Sequence, residues 1–181
     1  MKSAFLFFGF LFVMDGSVAQ TFLQQKAIQS LKKMFGDSVS ISSTTFVLTK
    51  ADKDSLASRS VIKWQTDSIN TYTCRANGRT IGVGFVDDVK GKTQFITYIT
   101  GIKPNGEVQD IDILAYRESI GGEIVYESYR KQFRNKTAKD KLLPGRDIKN
   151  ISGATISANA ITAGVKKILA TFDVLRPRLQ Q

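Results

Sequence analysis

A cluster of small and hydroxyl-bearing residues precedes the last apolar-periodic segment of the chain. Ser152, Gly153, Ala154 and Thr155 lie where the chain turns into a predicted helix, and Ser157 follows two residues later. The first turn of a helix has unpaired backbone N–H groups and a partial positive charge, both of which favour phosphate binding. Small residues let a bulky anion approach the backbone, and the hydroxyls can hydrogen-bond a phosphate or be esterified to one. The pattern indicates a phosphate site, although a capped helix start whose small residues pack against a sheet explains it equally well.

The absence of histidine excludes many other chemistries. Without histidine, the chain can build neither a Ser-His-Asp or Cys-His nucleophile nor a His-ligated haem or zinc site. Cys74 is the only cysteine, so no internal disulfide exists, and its place in a predicted strand favours a buried, unreactive thiol. We therefore predict no catalytic residue and no metal site. Any chemistry of this protein requires a borrowed cofactor.

The N-terminal segment has the pattern of a secretory signal peptide. A lysine precedes an apolar run over residues 4–14, which is short for a membrane span, and small residues stand three and one positions before a cleavage point after Ala19. We therefore predict a signal peptide over residues 1–19. The mature chain then begins at Gln20 and is exported to the periplasm or cell envelope. An uncleaved N-terminal anchor is the alternative interpretation.

The chain carries a large excess of positive charge. Its 26 Lys and Arg residues and 16 Asp and Glu residues give a formal net charge of +10. The basic residues are scattered and lack interleaved aromatic residues, which favours a solvated surface, and we predict no nucleic-acid partner. On an exported protein this charge suits anionic lipid headgroups, acidic polymers or an acidic protein partner.

The apolar patterns predict an α+β fold in which an antiparallel sheet meander is flanked by N-terminal and C-terminal helices. Apolar residues at helical spacing predict a first helix that ends at Gly36, and a β-branched run over residues 39–49 predicts a strand. Turns at Asn77-Gly78 and at Pro104-Asn105-Gly106 predict two hairpins. The meander extends from about Thr71 to Tyr116.

Four further features of this region and its flanks are predicted. Glycines 82 and 84 within a strand predict a close backbone approach or a bulge. Residues 51–60 fit a short helix or a loop equally well, and residues 125–135 predict a short amphipathic helix. The final helix is predicted over about Ser157 to Val174, with its end before Pro177.

The motif that begins at Ser152 resembles a family signature. "SGATIS" over residues 152–157 resembles the flavinylation motif of the FMN-binding domain family, found in flavin-carrying subunits of the sodium-pumping NADH:quinone reductase and of the Rnf complex. One given tetrapeptide matches a random chain of this length with odds on the order of one in a thousand. The hairpin, the segment "NGEVQDIDIL" (105–114) and the loop "ESIGGE" (118–123) precede it in the order seen in such domains. Together these features cover roughly residues 70–170.

The resemblance implies a covalently bound FMN. In the family, a dedicated flavin transferase consumes FAD and joins FMN to the threonine of the motif through a phosphoester bond. Carried over to this sequence, the acceptor is Thr155, while Ser152, Gly153 and Ala154 shape the site and Ser157 lies nearby. The implied domains are a helix-and-strand extension over residues 20–69 and an FMN-binding domain over residues 70–175.

The resemblance also implies a second part of the site, in the acidic-glycine loop. Glu118, Gly121 and Gly122 correspond to a loop near the flavin ring, where glycines let backbone N–H groups reach the ring edge. A glycine-rich turn with a solvated glutamate is the alternative. One residue departs from the family pattern, because Lys149 stands six positions before the acceptor, where an acidic residue is usual. A lysine offers the phosphate a counter-charge but puts recognition by the transferase in question.

Three functions are consistent with these observations. The first is an exported bacterial electron carrier with FMN on Thr155, associated peripherally with a membrane complex and exchanging electrons with a membrane or exported redox partner. The second is a reductase of a small molecule that binds FMN non-covalently. The third is a non-redox basic surface or assembly protein. Flavin fluorescence that survives denaturation separates the first function from the other two.

Overall fold

A computed structural model of the chain describes residues 16–59, 64 and 67–179. Its centre is a five-stranded antiparallel sheet in which the strands are neighbours in chain order. The strands are β1 (Ser40–Val47), β2 (Ser68–Ala76), β3 (Arg79–Lys90), β4 (Phe95–Ile102) and β5 (Val108–Ala115). Long helices lie on both faces, so the predicted α+β meander with flanking helices is confirmed.

The first helix, α1 (Gly16–Phe35), covers one face of the sheet and ends at Gly36 as predicted. Residues 1–15 of the predicted signal peptide lie outside the described residues, and the predicted cleavage point after Ala19 falls within α1. The predicted close approach at Gly82 and Gly84 is confirmed. A Cβ atom on Gly82 would lie 2.2 Å from the Phe35 ring, and one on Gly84 would lie 2.7 Å from Leu31.

Cys74 lies under α1 and is fully buried, as the sequence predicts. Burial raises the pKa of its thiol to about 11, so the thiolate is scarce at neutral pH. Because the thiolate is the reactive form of cysteine, burial disfavours reaction at this residue.

The last helix, α4 (Thr155–Leu179), covers the opposite face with a continuous apolar stripe. The ring of Phe172 meets that of Phe85 of β3 edge to face, with 6.4 Å between centroids. The predicted end before Pro177 is wrong, because the helix continues through this proline. Its last turn is held from outside: Leu179 is buried, and Arg178 forms a 2.8 Å salt bridge with Asp52. These contacts offset the missing proline amide.

The structure defines the conformation of residues 51–60, whose sequence pattern was ambiguous, and of residues 125–135, whose pattern was helical. Within residues 51–60, the structure has a helix, α2 (Lys50–Ala57), which begins with a capping box formed by Thr49 and Asp52. The single helix predicted over residues 125–135 is wrong in extent, because extended backbone at Tyr126 divides it. In chain order, this region has a 3-10 turn (Gly122–Val125), one helical turn, α3 (Glu127–Arg130), and a second 3-10 turn (Lys131–Phe133).

The division of this segment follows from its packing. Tyr129 and Phe133 are buried against the sheet and α4, and the Tyr129 hydroxyl donates a 2.8 Å hydrogen bond to the carbonyl of Ala158. A regular helix over residues 125–135 would have to keep these contacts while its side chains followed the helical repeat.

Among the described helices, none has both the length and the apolar character needed to cross a bilayer.

Candidate functional site

The segment that begins at Ser152 forms a tight turn directly before α4. Gly153 has a φ of 83°, in the left-handed region, and the position of its missing Cβ faces open space. The Ala154 carbonyl accepts the first helical hydrogen bond, from the Ala158 amide at 2.8 Å. The amides of the next three residues, 155–157, have no backbone acceptor outside the helix within the part of the chain described. Among the described residues, these amides therefore remain donors without a backbone acceptor at the start of α4.

The two hydroxyls of the first helical turn lie in different surroundings. Thr155 is exposed, and within the described residues its hydroxyl makes no hydrogen bond. Ser157 is buried, and its Oγ lies 3.2 Å from the Tyr116 Oη. Thr155, the acceptor that the family motif implies, therefore has the accessible hydroxyl of the pair.

The glycine loop packs on the same turn. Gly121 has a φ of 89°, and a Cβ there would lie 2.8 Å from the Tyr116 Oη and 3.3 Å from the Gly153 carbonyl oxygen. The Tyr116 hydroxyl also donates a 2.5 Å hydrogen bond to the Ile120 carbonyl. Tyr116 thus joins the loop to α4, and only glycine fits at position 121.

Glu118 is bound to a different part of the chain. Its carboxylate accepts hydrogen bonds from the Thr93 hydroxyl at 2.6 Å, the Thr93 amide at 2.7 Å and the Gln94 amide at 3.0 Å. These bonds, the Thr93 hydroxyl first, lower the pKa of Glu118 to about 2. The carboxylate therefore holds the β3–β4 loop against the β5–α3 segment. Its direct contact with a flavin ring stays a prediction.

These segments enclose a cleft of about 360 Å³. It is lined by Lys92, Thr93, Glu118, Ser119, Ile120, Gly153, Ala154, Thr155, Ile156 and Ser157. Five of the eight predicted site residues are thus brought together. Ser152, Gly121 and Gly122 are outside the lining, although Gly121 packs directly behind it.

Sequence reasoning missed half of the lining. Lys92 and Thr93 belong to the β3–β4 loop, which approaches the cleft only through the tertiary bonds of Glu118. Ile120 and Ile156 could have been recognised as weak candidates for the cleft lining, since each is a large apolar residue inside a polar segment. Their side chains are 74% and 51% exposed.

The lining fits FMN. The helix amides, the Thr155 hydroxyl and Lys92 suit a phosphate, and the two isoleucines offer apolar surface to a planar ring. Covering such side chains is favourable by about 25 cal/mol per Å² of apolar surface. The volume is also within the range of about 300–1,000 Å³ that is usual for ligand sites.

Lys149 stands where the family usually has an acidic residue, six positions before Thr155. Lys149 is exposed, and within the described residues its side chain has no partner. The Asp147 carboxylate accepts a hydrogen bond from the Leu143 amide at 3.0 Å and thereby closes a local turn. The position six residues before Thr155 is therefore cationic.

Comparison with protein families agrees with this geometry. Residues 91–170 match the FMN-binding domain family, a stretch that contains both walls of the cleft. The chain carries an FMN-binding domain. The predicted family and the predicted cofactor, FMN, are confirmed.

Two relatives match part of the chain. The chain is 31% identical over 104 residues to a subunit of the proton-translocating ferredoxin:NAD(+) oxidoreductase complex of Clostridium ljungdahlii, covering 53% of this chain and 56% of that protein. It is 25% identical over 134 residues to a subunit of the Na(+)-translocating ferredoxin:NAD(+) oxidoreductase complex of Acetobacterium woodii. This match covers 68% of this chain and 65% of that protein. The chain thus spans less than two thirds of the length of each.

A solved structure shares the fold over most of the chain. The crystal structure of Shewanella oneidensis NqrC superimposes with a TM-score of 0.56, covering 90% of this chain and 96% of that chain. The sequence identity is 12%, so the likeness concerns the fold.

Proposed function

We propose that this protein is an electron-transfer subunit that carries FMN in phosphoester linkage to Thr155. The observation that carries the proposal is the exposed Thr155 hydroxyl at the start of α4, which has no hydrogen-bond partner among the described residues. It lies in the cleft of a domain that matches the FMN-binding family. When bound, FMN supplies transfer of one or two electrons. The chain's own residues hold and orient it.

The attachment step uses FAD and a flavin transferase. The Thr155 oxygen replaces AMP at the FMN phosphorus of FAD: the Oγ–P bond forms, the diphosphate bond breaks, and the hydroxyl proton passes to a base of the transferase. The α4 amides and Lys92 provide donors and positive charge around the resulting phosphodiester. Ser157 is a poor competitor because it is buried beside Tyr116.

The proposal includes an exported location and redox partners. The signal pattern over residues 1–19 supports export to the periplasm or cell envelope of a bacterium. Two relatives are named as subunits of ferredoxin:NAD(+) oxidoreductase complexes, which supports peripheral association with a membrane complex. The N-terminal residue of the exported protein checks the first point, and retention of residues 1–19 would contradict it.

Replacement of Thr155 tests the attachment. Co-expressed with a flavin transferase, the wild type should show in-gel flavin fluorescence after denaturation and a mass increase of one FMN residue. Thr155→Ala should lose both, and Thr155→Ser should retain part. Ser128→Ala is the control and should keep both signals, because Ser128 is an exposed hydroxyl outside the cleft lining. Since the Thr155 hydroxyl has no bonding partner in the described chain, Thr155→Ala should change the free energy of unfolding by less than about 0.5 kcal/mol.

The outcomes separate the competing functions. Covalent flavin in Thr155→Ala would move the acceptor to another hydroxyl. Flavin that binds the native wild type but leaves on denaturation would favour a reductase with non-covalent FMN. A colourless wild type beside an active transferase would favour a non-redox role, and Lys149→Glu would then show whether the departure at this position prevents attachment.

A further inference from the structure

The two edges of the sheet are protected unequally. At the β5 edge, Val108 exchanges two 2.8 Å backbone hydrogen bonds with Asn135 and Lys136, and the Arg130 guanidinium donates to the Ile111 carbonyl at 2.9 Å. At the β1 edge, the backbone of the strand bonds to β2 alone among the described residues. In the part of the chain that the structure describes, β1 is therefore an open edge strand.

β1 also lacks the features that usually protect an open edge. Natural edge strands are often very short, charged, or interrupted by a bulge or a proline, which prevents pairing with another chain. The eight residues of β1, SISSTTFV, include no charge and no proline, whereas β5 contains two aspartates. The register with β2 is unbroken from Ser40 to Val47, and the apolar Val47 side chain is 63% exposed. The composition of β1 is thus that of a strand that pairs on both sides.

Alternate residues of β1 direct their backbone groups away from β2. The Leu48 amide, directly after the strand, donates to the Asp67 carbonyl at 2.7 Å, and the Thr44 carbonyl accepts from the Thr71 hydroxyl at 3.1 Å. The even-numbered positions therefore face β2. Because backbone direction alternates along a strand, the N–H and C=O groups of the odd-numbered positions face outward. These positions are Ile41, Ser43, Thr45 and Val47.

We propose that β1 pairs antiparallel with β1 of a second copy of this chain, around a two-fold axis at Thr44. In this register, Ser43 lies opposite Thr45 of the second copy, Ile41 lies opposite Val47, and each pair exchanges two backbone hydrogen bonds. The pairing uses the outward-facing backbone groups and covers the exposed Val47 with an apolar partner. It is also self-complementary, as a closed dimer requires, because the same pairs recur on both sides of the axis.

The composition of β1 favours a second copy as the partner. Two chains that each carry a net charge of +10 repel one another, but an uncharged strand lets them meet without placing like charges opposite each other. Facing serine and threonine side chains are favourable cross-strand pairs. Ile41 packs with the apolar cluster under α1, so the pairs of Ile41 with Val47 extend this face across the axis. Two five-stranded sheets would thereby become one continuous sheet.

Disulfide trapping tests the register. The two Thr44 residues form a pair without mutual hydrogen bonds, whose Cα atoms are about 4.5 Å apart, within the range of a disulfide. The two Ser42 residues would be about 14 Å apart, since they lie two residues from the axis in opposite directions. Both residues are exposed, and the native Cys74 is fully buried. Under oxidised glutathione, Thr44→Cys should give a linked dimer on a non-reducing gel, and the matched Ser42→Cys should not.

The mass in solution tests the pairing without a cross-link. Light scattering of the apoprotein over a concentration series should approach twice the mass of one chain. Val47→Lys should raise the dissociation constant of the dimer about tenfold or more, because it places a charge on the open edge. Tyr126→Lys adds the same charge at a side chain that is 62% exposed, directly before α3. This control should stay within about twofold of the wild type, because solvent screens a distant charge.

Several outcomes would overturn the proposal. These are equal linkage of Ser42→Cys and Thr44→Cys, equal dissociation constants for the two lysine variants, and a mass that grows beyond two copies. A wild type that stays a single chain at every concentration, with no linkage in Thr44→Cys, would also overturn it and would leave the edge to an extended segment of another protein. Urea denaturation verifies that each variant folds. The measurements need no flavin, so their failure is distinct from a failure of flavin attachment.

Discussion

Helix α4 has two contrasting polar regions, one at its start and one at its middle. At the middle, Lys167 lies 2.9 Å and 3.0 Å from the two carboxylate oxygens of Asp87, which also accepts a 2.9 Å hydrogen bond from the Tyr98 hydroxyl. The ammonium is 4.1 Å from the centre of the Trp64 ring, and the Trp64 indole donates to Thr171 at 2.8 Å. Every charged group of this buried cluster is paired.

The start of the helix is open to the cleft. The Thr155 hydroxyl and the first amides of α4 have no partners within the described residues, and the cleft reaches them. A buried charge is tolerated only when its partners are complete, whereas an exposed helix start can leave its donors to a ligand. The difference indicates that the middle of α4 serves stability and that its start serves binding.

The largest expected effect comes from breaking the buried pair. Lys167→Met leaves the Asp87 carboxylate buried without its cation, which should lower the free energy of unfolding by about 3–5 kcal/mol. Urea denaturation checks this. Lys166→Met is the matched control, since Lys166 is half-buried on the same helix and has no ion pair among the described residues, and it should cost less than about 0.5 kcal/mol. Equal losses in the two variants would contradict the contrast.

A smaller effect is expected from crowding the same cluster. A Cβ on Gly164 would lie 2.3 Å from the Tyr98 Oη and 2.7 Å from Val89 Cγ1. Gly164→Ala should therefore cost about 1–3 kcal/mol despite the better helix propensity of alanine. In a Tyr98→Phe background the cost should fall, because the closest clashing atom is gone. If Gly164→Ala were equally destabilising in that background, the Tyr98 hydroxyl would not be the cause of the clash.

Breaking the link between the glycine loop and α4 should lower the free energy of unfolding by less than the two preceding substitutions. Tyr116→Phe removes the hydroxyl bonded to the Ile120 carbonyl and adjacent to Ser157, and a lost hydrogen bond of this kind costs about 1 kcal/mol. Amide exchange in residues 119–122 should become faster while the rest of the sheet is unaffected. Tyr126→Phe is the control, because Tyr126 is exposed, and it should leave exchange unchanged.

The smallest expected change is a titration. Because the pKa of Glu118 is lowered from 4.5 to about 2, its bonds to Thr93 and Gln94 are complete above 4.5 and are lost only as the pH falls toward about 2. The amide NMR shifts of Thr93 and Gln94 should therefore hold their neutral-pH values down to about pH 3.5. In Glu118→Gln they should already differ at pH 7. A transition centred at the ordinary glutamate pKa of 4.5 would show that these bonds do not form.

Several elements could be predicted because their causes are local. Both positions of the Asn77-Gly78 turn have positive φ values, 50° and 73°, the geometry that the dipeptide favours in a tight hairpin. Gly36 ends α1 with a φ of 109°. The turn before α4 likewise depends on Gly153 and on the small residues around it. The confirmed fold class and the predicted start of the site follow from such neighbours in sequence.

The errors arose where distant residues decide the conformation. The continuation of α4 through Pro177 depends on Asp52, and the division of residues 125–135 depends on α4. The Glu118 carboxylate is bound to Thr93, 25 positions earlier, and its contact with the flavin ring stays a prediction. No local pattern indicates such partners.

The sequence by itself determined the meander, the glycine turns and the helix start that carries Thr155, because backbone conformation and apolar periodicity are set over a few residues. Only the tertiary structure decided which hydroxyl is exposed, which loops enclose the cleft and which charges are buried together. Asp87 and Lys167 are 80 positions apart, and their pairing depends on how α4 packs on β3. Burial and pairing are properties of the packed chain, so they exist only after the elements have met.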